Sequence, residues 1–210
     1  MDDLTTGDRE AAVSLLTEAF DADPYFRFLA PDDGERAALL SEVMRGNVEL
    51  ARAAGMAFGL KEGGRVDGVC LWYGPGTYPA PLWQAATVRG GSVARTVAGW
   101  ARTPSRARPG VIASALRIQT LLEEAHPPGA FWYLMILGVD AARRGRGLGS
   151  RMLRDALAMA DRDGVPSVLE TSKPENLPLY RRHGFRVTRA THLDGSPPVW
   201  SMQRAPGGHP

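Results

Sequence analysis

The chain has 210 residues, which fits a single domain able to bury about 70 percent of its unfolded surface. Its formal net charge is only +2, and no apolar run approaches the roughly 20 residues that span a bilayer. The single cysteine, Cys70, excludes a disulfide within the chain, and the acidic N-terminus is unlike a secretory signal. These features predict a soluble, cytoplasmic, globular protein.

The first 55 residues predict two helices and almost no strand. Apolar residues recur at helical spacing from Arg9 to Asp21, with Pro24 marking the exit, and again from about Asp33 to Ala53. Only Asp2 to Thr6 precede the first helix, so a strand there is expected to be very short or absent.

The next segment predicts a hairpin followed by a stretch with little pattern. Met56–Lys61 and Arg65–Tyr73 flank Gly63-Gly64, which predicts two antiparallel strands with Cys70 as a buried thiol in the second. Beyond Gly74, glycines and prolines interrupt the periodicity, and helices are predicted near residues 81–101 and 110–125.

The most informative feature is a glycine-rich loop between a strand and a helix. An apolar strand over residues 131–139 leads into Gly145, Gly147 and Gly149, with three arginines among them. The loop lacks the Walker A pattern, and a dinucleotide pattern would need glycine at Ser150. What remains is R-x-x-G-x-G, which would hold an anion at a helix start. A tight turn without a ligand is the alternative.

The last third predicts one amphipathic helix and three strands. The helix buries six apolar side chains and ends at Gly164, with Pro166 beyond it: Leu148, Met152, Leu153, Ala156, Leu157 and Ala160. Strands are predicted near residues 166–172, 185–192 and 198–204, and residues 205–210 as a flexible tail.

A second motif lies between those strands. Residues 167–185 read SVLETSKPENLPLYRRHGF, which is a strand, an N-x-P-x-Y helix and a GF pair. With the glycine loop, this motif resembles the GNAT superfamily of N-acetyltransferases. The four-residue spacing from Asn176 to Tyr180 and the preceding LETS are similar to the subgroup of puromycin N-acetyltransferase.

The resemblance implies a fold and a co-substrate. The expected fold is a single α/β (α+β) domain over residues 1–204, with a mixed, mostly antiparallel central sheet and helices on both faces. Acetyl-CoA is the implied co-substrate, with no metal. The charge is unevenly distributed along the chain. Between Asp67 and Glu123 there is no acidic residue but six arginines: Arg89, Arg95, Arg102, Arg106, Arg108 and Arg117. A solvated surface is the favoured interpretation of these arginines, and a basic face for a phosphate, an acidic acceptor or nucleic acid is the alternative.

The resemblance also implies roles for residues. A main-chain N–H near Gly138 or Val139 would polarise the thioester carbonyl, and Tyr180 would protonate the departing thiolate. Asn176 would hydrogen-bond the pantetheine arm. The predicted coenzyme-binding residues are Leu137, Gly138, Val139, Arg144, Gly145, Arg146, Gly147, Leu148, Gly149, Ser150 and Asn176.

Glu170 is the predicted base or amine-binding carboxylate, because a charged residue in an apolar strand is costly without a partner. A structural ion pair, for example with an arginine, is the alternative reading of this residue. Glu123, Glu124 and His126 precede the donor strand and are further candidates, as is a water chain.

Together these features predict an N-acetyltransferase that moves acetyl from acetyl-CoA to a primary amine of an antibiotic-like or other small metabolite. Direct attack is expected, in a monomer or homodimer that binds no membrane. The alternatives are a peptide or protein amine as acceptor, or a non-catalytic CoA-sensing or nucleic-acid-binding module. Eight aromatic residues are candidates for an acceptor pocket or for the core: Tyr25, Phe26, Phe28, Trp72, Tyr73, Tyr78, Trp83 and Trp132.

Overall fold

The computed structural model describes residues 1–78, 109–193 and 195–208. Within them, seven strands form one sheet: β1 (Asp2–Asp3), β2 (Met56–Glu62), β3 (Arg65–Tyr73), β4 (Trp132–Val139), β5 (Ser167–Thr171), β6 (Arg186–Thr191) and β7 (Val199–Arg204). The helices in the same residues are α1 (Arg9–Phe20), α2 (Pro24–Leu29), α3 (Asp33–Ala54), α4 (Pro109–Glu123), α5 (Leu148–Asp163) and α6 (Leu177–Arg181). The helix predicted near residues 81–101, Trp83 and five of the six arginines lie outside the described residues.

The sheet order is β1-β2-β3-β4-β5-β7-β6. Only β4 and β5 pair in parallel, and every other pair is antiparallel. The predicted mixed, mostly antiparallel sheet is therefore confirmed.

Hydrophobic clusters cover both faces of the sheet. Side chains alternate along β3, so that Val69, Leu71 and Tyr73 pack with α1 and α3, whereas Cys70 and Trp72 pack with α5 and α6. The prediction of helices on both faces is confirmed, and the two layers hold the central strands as a rigid platform.

The N-terminal segment differs from the prediction at one point. β1 has only two residues, paired with Phe58 and Gly59, as expected from the short segment before α1. Pro24, however, begins α2 rather than ending α1, because the Asp23 side chain accepts hydrogen bonds from the N–H groups of Tyr25 and Phe26. An aspartate cap followed by proline is a helix-start signal that the prediction missed.

The parallel pairing of β4 with β5 is short, and the sheet opens where this pairing ends. It runs from Trp132–Ser167 to Leu134–Leu169, and beyond this point the two strands separate while β4 stays paired with β3. The register of β3 and β4 shifts between Leu71 and Trp72, which places the extra residue of a bulge at Met135. A cleft opens where the strands diverge.

The C-terminal residues 205–208 contact the domain. Gly208 N–H donates to the Ala205 carbonyl at 3.0 Å, and Gly207 N–H donates to Asp161 Oδ1 at 2.8 Å. A side chain at Gly184, whose φ is 84°, would meet the Gly208 carbonyl. Among the described residues, no helix is both long and apolar enough to cross a membrane.

Candidate active site

A cavity of about 850 Å³ occupies the cleft between β4 and β5. The α1–α2 turn forms one wall, the loop before α5 forms the second, and α4 and the end of β5 close the far side. Ten of the eleven predicted coenzyme-binding residues line it, and so does Glu170: Leu137, Gly138, Val139, Arg144, Gly145, Gly147, Leu148, Gly149, Ser150 and Asn176. Arg146 is exposed and does not line the cavity.

The loop before α5 presents bare backbone to this cavity. Gly145 and Gly147 both have φ of 76°, a conformation that L side chains rarely adopt, and a Cβ on either would meet no atom within 4 Å. Gly147 caps α5, and its carbonyl accepts from Arg151 N–H. Helix geometry leaves the three preceding N–H groups, at residues 148–150, without acceptors in the helix. The loop therefore offers unpaired donors and open space to an anion.

Positive side chains surround the same end of the cavity. Arg143, Arg144, Arg182 and Lys173 all line it. The Lys173 ammonium donates to the Ala19 carbonyl at 3.1 Å, and burial lowers the pKa of Lys173. Together with the α5 N-terminus, these groups favour a ligand with several negative charges.

The register shows which β4 amides face the cavity. Asp140 N–H donates to the Asp67 carbonyl at 3.0 Å, toward β3. Because successive strand residues direct N–H to opposite edges, Gly138 N–H also points to β3, whereas Leu137 and Val139 point to the edge that β5 has left. The candidate oxyanion donors are thus Leu137 and Val139, so Leu137 takes the place of Gly138 beside the predicted Val139.

The glycine at position 138 is explained by packing against α1 and not by a β-bulge, so Gly138 does not interrupt the strand. It pairs in regular register with Val69, and the bulge lies at Met135. A Cβ at Gly138 would come 2.5 Å from Leu16 Cδ2 and 3.4 Å from Leu15 Cδ2. The glycine lets α1 lie directly on β4, which brings the α1–α2 turn to the edge of the cavity.

Tyr180 lies on α6 with its side chain buried. Its ring packs edge-on against Phe185 at 6.1 Å, and the residue is not among those lining the cavity. Burial raises the pKa of Tyr180, and the nearby Cys70 and Asp23 raise it further. The phenol is therefore protonated at neutral pH, and its chain neighbour Leu179 lines the cavity.

The end of β5 joins both walls of the cavity. Asn176 Nδ2 donates to Thr171 Oγ1 at 3.3 Å, which fixes the amide beside the strand end. Ser172 Oγ donates to the buried Asp23 carboxylate at 2.7 Å. The α1–α2 turn is therefore tied to β5 across the cavity.

Glu170 meets one of the further base candidates of the sequence analysis. His126 Nε2 and Glu170 Oε1 are 2.8 Å apart, and the side chains are 9% and 10% exposed. Glu123 and Glu124 are exposed, with Glu123 accepting from Gln119. The partner of Glu170 is a histidine rather than an arginine, and Glu170 itself lines the cavity.

Aromatic rings enclose this pair. His126 packs at 5.1 Å from both Phe131 and Tyr133, and at 5.7 Å from Tyr78. Burial and the Glu170 charge raise the pKa of Tyr133, which lines the cavity. The result is a carboxylate–imidazole pair in an apolar wall, a setting suited to a cationic or neutral amine.

The other aromatic candidates divide between the cavity and the core. Tyr25 and Phe26 line the cavity. Trp72 and Trp132 pack edge-on at 6.1 Å within the core, where Tyr73 is also buried. Phe28 is half-buried and is not among the cavity-lining residues.

Cys70 is buried, and its sulfur accepts a hydrogen bond. Trp72 Nε1 donates to its Sγ at 2.8 Å, and burial raises the pKa of the thiol to about 12. A thiol that stays protonated is a poor nucleophile. No group of three or more His, Cys, Asp or Glu in the described residues is arranged to hold a metal ion.

Several cavity residues were not predicted from the sequence. Lys173, Asp23 and Ser172 join the site through contacts with residues about 150 positions away, which no local motif encodes. Two signals were nonetheless visible: Lys173 is one of only two lysines, and Asp23 precedes a proline.

The chain is similar to known acetyltransferases. Residues 108–187 match the acetyltransferase (GNAT) domain. The chain is also 25% identical over 196 residues to an uncharacterized N-acetyltransferase of Schizosaccharomyces pombe, which covers 89% of this chain and 74% of that protein.

Solved structures share the fold over nearly the whole chain. One from Corynebacterium glutamicum, described as histone acetyltransferase HPA2 and related acetyltransferase, superposes with a TM-score of 0.66 at 23% identity and covers 97% of this chain and 94% of its own. Arylalkylamine N-acetyltransferase 2 of Aedes aegypti superposes with a TM-score of 0.57 at 12% identity, covering 97% of each chain. These likenesses confirm the single-domain fold expected from the two motifs.

Proposed function

Because residues 108–187 match the acetyltransferase (GNAT) domain, we propose that the chain transfers the acetyl group of acetyl-CoA to a primary amine of a small molecule by direct attack. One observation carries the proposal. A single cavity connects the anion-binding loop before α5, the open edge of β4 and Glu170, whose carboxylate is paired with His126 behind the wall.

The coenzyme fits the loop end of this cavity. Two glycines with positive φ leave free space there, and the α5 N-terminus and four cationic side chains supply donors and charge. GNAT proteins use acetyl-CoA, whose diphosphate carries the negative charge that such a loop binds. Asn176, whose amide donates to Thr171 Oγ1, would hydrogen-bond the pantetheine arm.

The acceptor amine fits the opposite end. An amine with a pKa of about 10.4 must lose a proton at a cost of roughly 4–5 kcal/mol at pH 7, so a nearby base lowers the barrier. Glu170 Oε1 with His126 Nε2 is that base, either directly or through a water molecule. The surrounding rings would cover the apolar part of the acceptor.

The acetyl group is then transferred by direct displacement of the CoA thiolate from the thioester carbon. The amine nitrogen forms a bond to the thioester carbon, and the negative charge on the carbonyl oxygen is met by N–H groups of Leu137 or Val139. Loss of such a donor typically raises a barrier by about 3–4 kcal/mol. The carbon–sulfur bond breaks, and Tyr180 gives its proton to the thiolate. The buried Cys70 takes no part.

Two observations bear on the chemical class of the acceptor, and they point in different directions. The LETS and NLPLY motifs favour the puromycin N-acetyltransferase subgroup, which makes bulky amine antibiotics the first compounds to test. The name of the C. glutamicum structure suggests a protein amine instead. The cytoplasmic location predicted from the single cysteine remains part of this proposal.

The test is an amine screen. We expect thiol release from acetyl-CoA with aromatic or bulky primary amines, including puromycin, and slower release with lysine peptides. Tyr180→Phe should lower kcat about 100-fold or more, since general acid catalysis contributes factors of about 10²–10⁴. The Phe ring keeps the packing against Phe185, so the unfolding temperature should change little.

Other outcomes separate the alternatives. Faster release with a histone-type peptide than with every small amine would assign the protein-amine function. A Tyr180→Phe enzyme as fast as wild type would remove Tyr180 from the mechanism. Acetyl-labelled protein formed without an acceptor would contradict direct attack.

A further inference from the structure

Ser150 and His183 form a pair that the mechanism above does not use. Ser150 Oγ and His183 Nε2 are 2.6 Å apart, and both residues are half-buried. Ser150 lies in the first turn of α5 and lines the cavity, and His183 follows α6. The imidazole therefore contacts a side chain of the helix turn that carries the free N–H groups.

The direction of this hydrogen bond decides what Ser150 can do. If Nε2 carries no proton, it accepts the hydroxyl proton, and Ser150 O–H points at the histidine. If Nε2 carries a proton, it donates to Ser150 Oγ, and the hydroxyl proton is free for an oxygen in the cavity. Only the second arrangement gives an anion another donor.

The charges around His183 favour the neutral form without a ligand. Arg154 of α5, Arg182 after α6 and Arg204 of β7 face it, and together with burial they lower the pKa of His183. Arg204 is itself paired with Asp161, which partly offsets its charge. A diphosphate at the start of α5 would bring negative charge close to the imidazole and oppose these arginines.

We propose that His183 is a positioning residue for the coenzyme: when the diphosphate binds, His183 takes up a proton from solvent, donates from Nε2 to Ser150 Oγ and turns the Ser150 hydroxyl proton toward a phosphate oxygen. This inference rests on the proposed function, because it needs a diphosphate at the loop. It adds a pH-dependent contribution to coenzyme affinity.

The sign of the pH dependence follows from linkage. A ligand that raises the pKa of His183 binds most tightly below the pKa of the free protein, and the gain is lost as pH rises through the pKa of the complex. Each unit by which the pKa rises corresponds to about a tenfold change in Kd. Affinity should therefore fall as pH rises through the range in which His183 titrates.

The experiment measures binding without catalysis. The probe is CoA lacking its 3′-phosphate, because a phosphate monoester titrates near pH 6 and would obscure the protein's own titration. Calorimetry from about pH 5.5 to about pH 8 should show Kd rising with pH for the wild type. His183→Gln keeps a side-chain donor without a titrating group, so its Kd should vary little with pH. Ser150→Ala should bind more weakly at low pH, because the hydroxyl donor is gone.

His192→Gln is the matched control, since His192 is exposed and not among the residues lining the cavity. Its Kd should follow the wild-type curve. A wild-type Kd independent of pH, or a His183→Gln variant that keeps the wild-type slope, would overturn the inference while the proposed function stands. Absence of binding by the wild type at every pH would instead contradict the proposed function, and the inference would fall with it.

Discussion

In the proposed mechanism, Glu170 is the residue on which acceptor chemistry most depends. It stands near the end of a buried strand, one residue after Leu169, and its carboxylate meets His126 at 2.8 Å. A carboxylate that is 10% exposed needs a partner, and His126 supplies one. The pair can therefore be structural, catalytic or both.

Glu170→Gln separates these roles. Gln keeps the size and can still hydrogen-bond His126, but it cannot accept a proton from an amine. We expect kcat/KM to fall by about 10²–10⁴, the range for loss of general base catalysis. The measurement is thiol release at saturating acetyl-CoA, with thermal unfolding recorded in parallel.

Glu123→Gln is the control for this change, because Glu123 is exposed and accepts a hydrogen bond from its helix neighbour Gln119 at 2.8 Å. Its activity should equal that of the wild type. If Glu170→Gln lowers the unfolding temperature but leaves kcat/KM unchanged in the folded fraction, the pair is structural and the base lies elsewhere.

The sequence predicts individual residues well where the reason is local. Glu170 is identifiable because a charge interrupts an apolar strand, and Gly147 because a helix begins after it. The reason for Gly138 is not local, since it depends on Leu16 of α1 more than a hundred positions away. The partner of Glu170 is likewise a tertiary contact that spacing cannot choose.

At the scale of elements, the start of α5 is the proposed binding site for the coenzyme diphosphate. Gly149 is the second residue of this helix, and a Cβ there would make an ordinary contact of 3.7 Å with Val139. The glycine is therefore not required by packing or by a positive φ. Its function in the proposal is to leave room for phosphate oxygens beside the free N–H groups.

Gly149→Ala should accordingly stabilise the protein and weaken binding. Replacing glycine by alanine in a helix contributes about 0.5–1 kcal/mol to stability. The added methyl group would occupy space that the diphosphate needs, so Kd for CoA should rise about tenfold, a loss of about 1.4 kcal/mol. Chemical denaturation and calorimetry measure the two effects separately.

Gly164→Ala, at the C-terminal end of α5, is the control variant, with the opposite expected effects on stability and binding. Gly164 has φ of 67° and does not line the cavity, so alanine there should destabilise the fold and leave Kd unchanged. Unchanged CoA binding by Gly149→Ala would show that no phosphate approaches this turn.

Most elements were predictable because each carries a local signal. The Gly-Gly hairpin, the Gly164 stop and the short β1 follow from turn chemistry, glycine caps and chain length. α2 was missed because Pro24 was interpreted as an exit, although Asp23 caps it. The bulge at Met135 has no local signature, since it reflects how β4 fits β3 and departs from β5.

For the whole molecule, the cavity exists because the N-terminal part and the second half of the chain meet across it. The α1–α2 turn comes from the N-terminal part, whereas β4, β5 and the α5 loop come from the second half. The resemblance in the sequence covers mainly the second half, so the coenzyme side was predicted in detail and the N-terminal wall was not. Ser172 and Asp23, 149 positions apart, join the two sides.

Ser172→Ala tests whether the Ser172–Asp23 hydrogen bond holds the two walls of the cavity together. Asp23 is 5% exposed and accepts from Tyr25 N–H at 2.9 Å, Phe26 N–H at 3.4 Å and Ser172 Oγ at 2.7 Å. Losing one bond to a buried charge should lower the free energy of unfolding by about 1.5–3 kcal/mol, measured by urea denaturation.

Activity should respond as well, because the α1–α2 turn and the end of β5 form opposite walls of the same cavity. We expect KM for the amine to rise more than kcat falls, since Ser172 holds a wall and touches none of the reacting atoms in the proposed displacement. Ser14→Ala, which removes an exposed hydroxyl on α1 that donates to Glu18 at 3.4 Å, should change neither stability nor KM. Equal stability of Ser172→Ala and Ser14→Ala would mean that packing of α1 on Gly138, and not the Asp23 tie, sets the position of the N-terminal wall.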